Sequence, residues 1–274
     1  MKELQIRTIW GILFVVVLTG AILFGPYTFA LLFLLLSVFI LKEFYSLAVK
    51  AGFSPQIIPG LVTGGIIFVL SFLVVNNAIP VKSIYAFLVV LFFFPVYELF
   101  RKKGTPLVNI AITGFGILYV SVPLSMLNFF VFPGITGHPP YDYSLLISLL
   151  VFIWVSDSGA YLFGVKFGRH RLFERISPKK SWEGFAGGLF TSLVAARILS
   201  AIFPQYSFSF MMIIAVITVV AGTFGDLVES MIKRNVGVKD SGHFMPGHGG
   251  LLDRFDSLLL ASPLIFFVLQ FLPQ

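Results

Sequence analysis

Long apolar runs broken by short polar stretches set the pattern of this chain. A helix that crosses a bilayer needs about 20 apolar residues. A window of that length finds nine candidates, at 6–24, 27–47, 57–75, 82–100, 108–130, 144–165, 184–203, 208–227 and 251–272. Only Gly25 and Pro26 separate the first two, which predicts a tight helical hairpin. The opening residues, basic at Lys2 and Arg7 and then apolar, have the outline of a signal peptide. No small-residue cleavage site follows and further apolar segments come at once, so this segment is expected to stay as the first helix. The pattern predicts an all-α polytopic integral membrane protein of about nine transmembrane helices.

Composition supports that class. Hydrophobic residues make up 58% of the chain and charged residues 11%, against the roughly 25% charged that a soluble domain carries. There is no cysteine, which excludes disulfides, thiolate metal sites and a cysteine nucleophile. The net charge is +7, and its distribution is informative. One set of connecting segments holds Lys2 and Arg7, then Lys42 and Lys50, then Arg101, Lys102 and Lys103. The same set continues with six bases from Lys166 to Lys180, and with Lys233, Arg234 and Lys239. The opposite face has only Lys82, while Arg197 and Arg254 fall within segments. Positive residues stay on the cytoplasmic side, so the N-terminus is expected in the cytoplasm and the C-terminus across a cell inner (plasma) membrane. The excess positive charge is read as topology plus anionic ligands or membrane lipids. No nucleic-acid partner is expected, because no soluble basic domain exists to carry one.

The chain is chemically lopsided, since eight of its 12 acids lie after position 150. Residues 1–140 are expected to form scaffold helices for lipid contact and a homodimer interface. Residues 141–274 are expected to form the catalytic region, with cytoplasmic loops 164–183 and 228–250. An ionisable group at membrane depth costs about 2.5–3.5 kcal/mol on insertion scales, so such groups mark function. Asp157, between Ser156 and Ser158-Gly159, is one of them, with small neighbours that leave room for a ligand. Pro178 cannot sit inside a helix, which places Lys179, Lys180 and Ser181 near the start of the next one. Two ammonium groups, a hydroxyl and helix N-terminal amides make a phosphate site. Lys166, Arg169 and Arg171 read instead as contacts to lipid headgroups, and Gly184 and Gly188, four apart, as a close helix contact.

The densest constellation runs from Gly225 to Ser257. Asp226 and Glu229 are three apart and share a helix face, with Lys233 one turn on. Asp253 and Asp256 repeat that spacing at the start of the last helix. Two acids from each of two helix ends offer Mg²⁺ the oxygen ligands it prefers, alongside substrate phosphates. The plainer reading is helix-end ion pairing, which explains one acid of the last helix but not the full set. Between them, Pro246-Gly247-His248-Gly249-Gly250 permits close backbone approach to a phosphate. His248 is compatible with a base, a phosphate donor or a structural hydrogen bonder.

These residues carry a resemblance. Ser230-x-x-Lys233-Arg234-x₄-Lys239-Asp240-x-Gly242-x₃-Pro246-x-His248-Gly249-Gly250-x₂-Asp253-Arg254-x-Asp256 resembles the signature of the phosphatidate cytidylyltransferase (CDP-diacylglycerol synthase) family. Asp157-x-Gly159-Ala160-Tyr161 and Ser177-Pro178-Lys179-Lys180-Ser181-x-Glu183-Gly184 are similar to its upstream motifs, and Met245 stands where a branched aliphatic residue is expected. The resemblance spans residues 157–256 by motif. It implies a nucleotidyltransferase that joins CTP and phosphatidic acid with Mg²⁺, with room for a second metal or a monovalent cation. On that reading Asp226, Asp253 and Asp256 hold metal, and Lys233 and Lys239 belong with them to the catalytic set. Asp157, Lys179, Lys180, Ser181, Arg234, His248, Gly249, Gly250 and Arg254 bind substrate. The rival from another class is a membrane transporter with a cytoplasmic charged gate, which predicts polar residues along several helices. A CDP-alcohol phosphotransferase lacks support because no Asp-Gly-x₂-Ala-Arg run occurs.

Overall fold

Eleven α-helices and one short hairpin carry the chain in the computed structural model, which describes residues 2–132, 140–242, 244 and 249–271. Seven stretches among the described residues are long and apolar enough to cross a membrane. They are Pro26–Lys50, Ile57–Val75, Val81–Arg101, Pro106–Val131, Ser144–Phe167, Trp182–Ile202 and Phe208–Asn235. The two remaining expected spans are helical but shorter in apolar length. α1 (Lys2–Leu23) is apolar over Thr8–Leu23. α11 (Leu252–Leu269) has 18 residues, about 27 Å at 1.5 Å per residue, and carries Asp253, Arg254 and Asp256 among its first five. The chain divides into two units.

The first unit contains Met1–Asp142 and Asn235–Arg254. α2 (Pro26–Lys50) begins with proline at its first helical position, after Gly25 at φ 135°, and this pair makes the predicted tight turn from α1. Phe29, Phe33, Ile40, Leu41 and Tyr45 of α2 are fully buried, at the spacing of one helix face. α3 (Ile57–Val75) packs on that face. Gly60 of α3 and Gly116 leave room for the Tyr45 ring, whose hydroxyl donates to the Thr113 carbonyl at 2.8 Å.

The fifth expected span is not one continuous helix. α5 (Pro106–Gly116) gives way to a π-turn over Ile117–Ser121, then to α6 (Val122–Met126) and α7 (Asn128–Val131). Pro123 explains the break, because it has no N–H to donate and its ring crowds the carbonyl four residues back. This unit is also less apolar inside than its sequence suggests. Glu98 of α4 (Ala86–Arg101) is buried. It accepts hydrogen bonds from Gln56 Nε2 at 2.6 Å, Asn109 Nδ2 at 2.9 Å and Arg101 Nη1 at 2.8 Å.

The second unit contains Tyr143–Arg234 and Phe255–Gln274. Its helices are α8 (Ser144–Phe167), α9 (Trp182–Ile202), α10 (Phe208–Asn235) and the greater part of α11. α8 and α9 lie closely against each other because glycines line the contact. A side chain at Gly188 would meet the Ser156 carbonyl and one at Gly184 the Ala160 carbonyl, so the predicted packing role of this pair holds. Between these helices the chain forms β1 (Arg171–Phe173) and β2 (Ser177–Ser181), an antiparallel pair that the helix-period reading did not anticipate.

Candidate active site

The site is built where α10 meets the start of α11 in the second unit. Both helices must come close, and α10 carries Gly222 and Gly225 at the crossing. A side chain at Gly225 would strike the Asp256 carbonyl, and one at Gly222 would press on Ser257. Ser257 Oγ donates to the Gly222 carbonyl at 3.2 Å. This approach sets Asp256 beside the Asp226 and Glu229 pair, and ligand oxygens of all three lie within 4.8 Å of one another.

Two lysines answer this charge. Lys180 Nζ lies 2.5 Å from Asp226 Oδ2, and Lys233 Nζ lies 2.5 Å from Glu229 Oε2. Ser230 Oγ also donates to Asp226 Oδ1 at 3.1 Å. At the effective dielectric of partly buried sites, two carboxylates 4.8 Å apart repel by about 3 kcal/mol. Three such groups against two ammoniums leave a formal charge of −1. Glu229 is fully buried, whereas the Asp226 side chain is 37% exposed. Asp226 is therefore the accessible member, Asp256 is half-buried beside it, and Glu229 with Lys233 forms an internal pair. The all-oxygen donor set and its residual negative charge fit a hard divalent cation.

The lysine side of the site comes from β2 rather than from the first turn of a helix. Lys179 and Lys180 are consecutive strand residues, and Ser181 is the N-cap of α9. The Ser181 hydroxyl oxygen accepts from the Gly184 amide at 3.1 Å. Glu183 holds the preceding turn, accepting from the Arg169 and His170 amides and pairing with His170 Nδ1 at 2.6 Å. Lys179 and Lys180 line a cleft of about 260 Å³ with Ser156, Asp157, Gly164, Thr223 and Asp226. The glycines and serines of its wall leave backbone close to the space, as a phosphate requires. Lysines and carboxylates lining one cleft suit a polyphosphate with its metal.

A second polar cluster belongs to the first unit. Asp253, the first acid of α11, accepts from the Ser241 amide at 3.0 Å, Ser241 Oγ at 3.0 Å and the Gly250 amide at 2.8 Å. Gly249 adopts φ +82° there, where a side chain would collide with the Asp253 carboxylate. Glu43 of α2 joins the cluster, accepting from the Leu252 amide at 2.8 Å and Ser241 Oγ at 3.2 Å. Gly249 and Gly250 thus lie tightly against these two carboxylates.

Of the residues expected from sequence, Asp157, Lys179, Lys180, Ser181 and Asp226 share the cleft, and Asp256 joins Asp226 in the acidic group. Asp253, expected as a metal ligand, is absent from that group and holds the glycine loop. Arg234, Lys239 and Arg254 are exposed, and His248 lies outside the described residues. The sequence reading passed over Glu43. Its signal was available, since an acid in an apolar helix is costly unless satisfied.

A model of the cytidylyltransferase family matches residues 5–272. Phosphatidate cytidylyltransferase of Staphylococcus saprophyticus is 34% identical over 275 residues, which cover 96% of this chain and 97% of that protein. The protein of the same name from Bacillus subtilis is 44% identical over 130 residues, covering 47% of this chain and 48% of its own length. That from Haemophilus influenzae is 45% identical over 142 residues, covering 48% and 49% respectively.

Proposed function

The chain belongs to the cytidylyltransferase family, and we propose that it converts CTP and phosphatidic acid to CDP-diacylglycerol and pyrophosphate. The observation that carries this reading is the convergence of Asp226, Glu229 and Asp256 beside Lys180, on a cleft open enough for phosphate. A phosphomonoester has its second pKa at about 6 and is mostly dianionic at neutral pH. The lipid phosphate therefore needs no general base to act as a nucleophile. Its obstacle is repulsion from the triphosphate.

The reaction forms one bond, from a lipid phosphate oxygen to the α-phosphorus of CTP. It breaks the bond between that phosphorus and the α–β bridging oxygen, and the electron pair leaves with pyrophosphate. Asp226 and Asp256 would hold Mg²⁺, with the buried Glu229–Lys233 pair fixing the face from behind. When bound, the metal supplies positive charge to neutralise the phosphates. Lys179 and Lys180 bring positive charge to the same cleft, and Ser181 fixes the start of α9 beneath them. Arg234, Lys239 and Arg254 extend the cationic surface for phosphates, and Asp157 borders the substrate space. Positioning and charge stabilisation together are what phosphoryl-type transfer asks of a protein.

The positive-residue asymmetry supports a cytoplasmic N-terminus and a site that opens to the cytoplasm of an inner membrane. Residues 1–140 are the scaffold in this reading. The exposed apolar surface of α4, including Phe92, Phe93, Leu99 and Phe100, faces lipid or a second copy in a homodimer.

The deciding experiment is pyrophosphate release by purified protein in detergent, with CTP and phosphatidic acid supplied separately and together, with and without Mg²⁺. Release that requires all three components is expected. Folded protein that releases none would sink the proposal and return the transporter reading to consideration.

A further inference from the structure

The unexplained polar group of the membrane helices is Glu43. It sits near the C-terminal end of α2, between Lys42 and Phe44, and neither the acidic group nor the cleft includes it. Its Oε2 accepts from two points that lie 11 positions apart in sequence, Ser241 Oγ at 3.2 Å and the Leu252 amide at 2.8 Å. Leu252 is the first residue of α11. The opening amides of a helix have no partner within it, so Glu43 supplies from another helix what an N-cap supplies from its own chain. The fit is tight, since a side chain at Gly242 or Gly250 would collide with the Glu43 carboxylate. Asp253 grips the same loop from the other direction through Ser241 and Gly250. Asp256 follows Leu252 by one turn of the same helix.

We propose that Glu43 is a positioning residue for the transfer reaction, which acts by anchoring the glycine loop and the first turn of α11 to α2. The proposal rests on the phosphatidate cytidylyltransferase reading, but its structural half is tested without activity. Three variants separate its parts. Glu43→Ala removes both acceptors, Glu43→Gln keeps an acceptor oxygen without charge, and Glu43→Asp keeps the charge but is one methylene too short.

Amide hydrogen exchange across residues 241–254 is measured for each in detergent, together with kcat, the KM for each substrate and the Mg²⁺ concentration for half-maximal rate. In Glu43→Ala the Leu252 and Ser241 amides should exchange at least tenfold faster. Its kcat should fall at least tenfold while KM for phosphatidic acid stays within a factor of two. Glu43→Gln should restore most of both, and Glu43→Asp should behave like Glu43→Ala. Unchanged exchange at Leu252 in both Glu43→Ala and Glu43→Asp would overturn the anchor. Faster exchange with wild-type kcat would overturn the positioning role. If Glu43→Ala does not fold, Glu43→Asp carries the same comparison against Glu43→Gln. An inactive wild type with normal exchange protection would defeat the assigned reaction and, with it, the role in transfer, while the exchange arm still judges the anchor.

Discussion

The acidic group gives single residues different tasks despite their equal charge. Asp226 reaches the cleft and meets Lys180, whereas Glu229 is sealed against Lys233. Asp256→Asn removes a half-buried charge without changing shape. Turnover should fall at least about 100-fold, the scale of losing one preorganised charge-stabilising group, while the detergent-solubilised protein keeps its elution profile and thermal transition. Wild-type-like turnover would remove Asp256 from the metal set. Asp253→Asn asks a different question, because this carboxylate accepts from Ser241 and Gly250. As a loop clamp it should lower turnover and leave the Mg²⁺ concentration for half-maximal rate within twofold. A severalfold rise in that concentration would return Asp253 to the ligands. The sequence could not separate these two acids, since residues three apart lie on neighbouring parts of one helix face.

At the scale of elements, glycine decides which helices can meet. Gly225 is the sharpest case, because the backbone of α11 occupies the space its side chain would need. Gly225→Val should separate α10 from α11 and cost turnover at least tenfold, alongside an overpacking penalty of about 1–3 kcal/mol. Gly114→Ala, in α5 with nothing within 4 Å of the added carbon, should keep full activity and stability. Equal losses in the two variants would discard the close-approach argument. Much at this scale was legible in sequence. Apolar runs of membrane length announced the helices, and Asp226 and Glu229 announced a shared face. The hairpin of β1 and β2 was not legible, because a strand such as Ser177–Ser181, made of serine, proline and lysine, carries no apolar alternation. The donors around Glu98 and Glu43 were hidden for another reason. Their partners lie between 3 and 209 positions away, and folding rather than periodicity brings the distant ones together. The break in the fifth span was not read from the sequence either, although it follows from the missing N–H of Pro123.

For the whole molecule, hydrophobic length and charge sidedness jointly constrain how the chain crosses the bilayer. α10 has 28 residues, about 42 Å at 1.5 Å per residue, against a hydrocarbon core of about 30 Å. Its last turns must therefore leave the hydrocarbon or tilt strongly, and those turns carry Asp226, Glu229, Lys233 and Arg234. The proposed function requires the charged end of α10 to stand at a membrane surface, where a water-soluble nucleotide can reach it. Which surface is the remaining question, and the preference of basic residues for the cytoplasmic side supports the inner one in the proposed reading. Lys82 lies at the start of the stretch Val81–Arg101 and Lys103 just past its end, both exposed, so they report from opposite sides if that stretch spans the membrane. Because the chain contains no cysteine, Lys82→Cys and Lys103→Cys each create a single thiol in an otherwise unreactive protein. In intact cells a membrane-impermeant maleimide should label Lys82→Cys and spare Lys103→Cys, and the preference should reverse in inside-out vesicles. Labelling of Lys103→Cys from outside would invert the topology, and labelling of both from one side would remove α4 as a span.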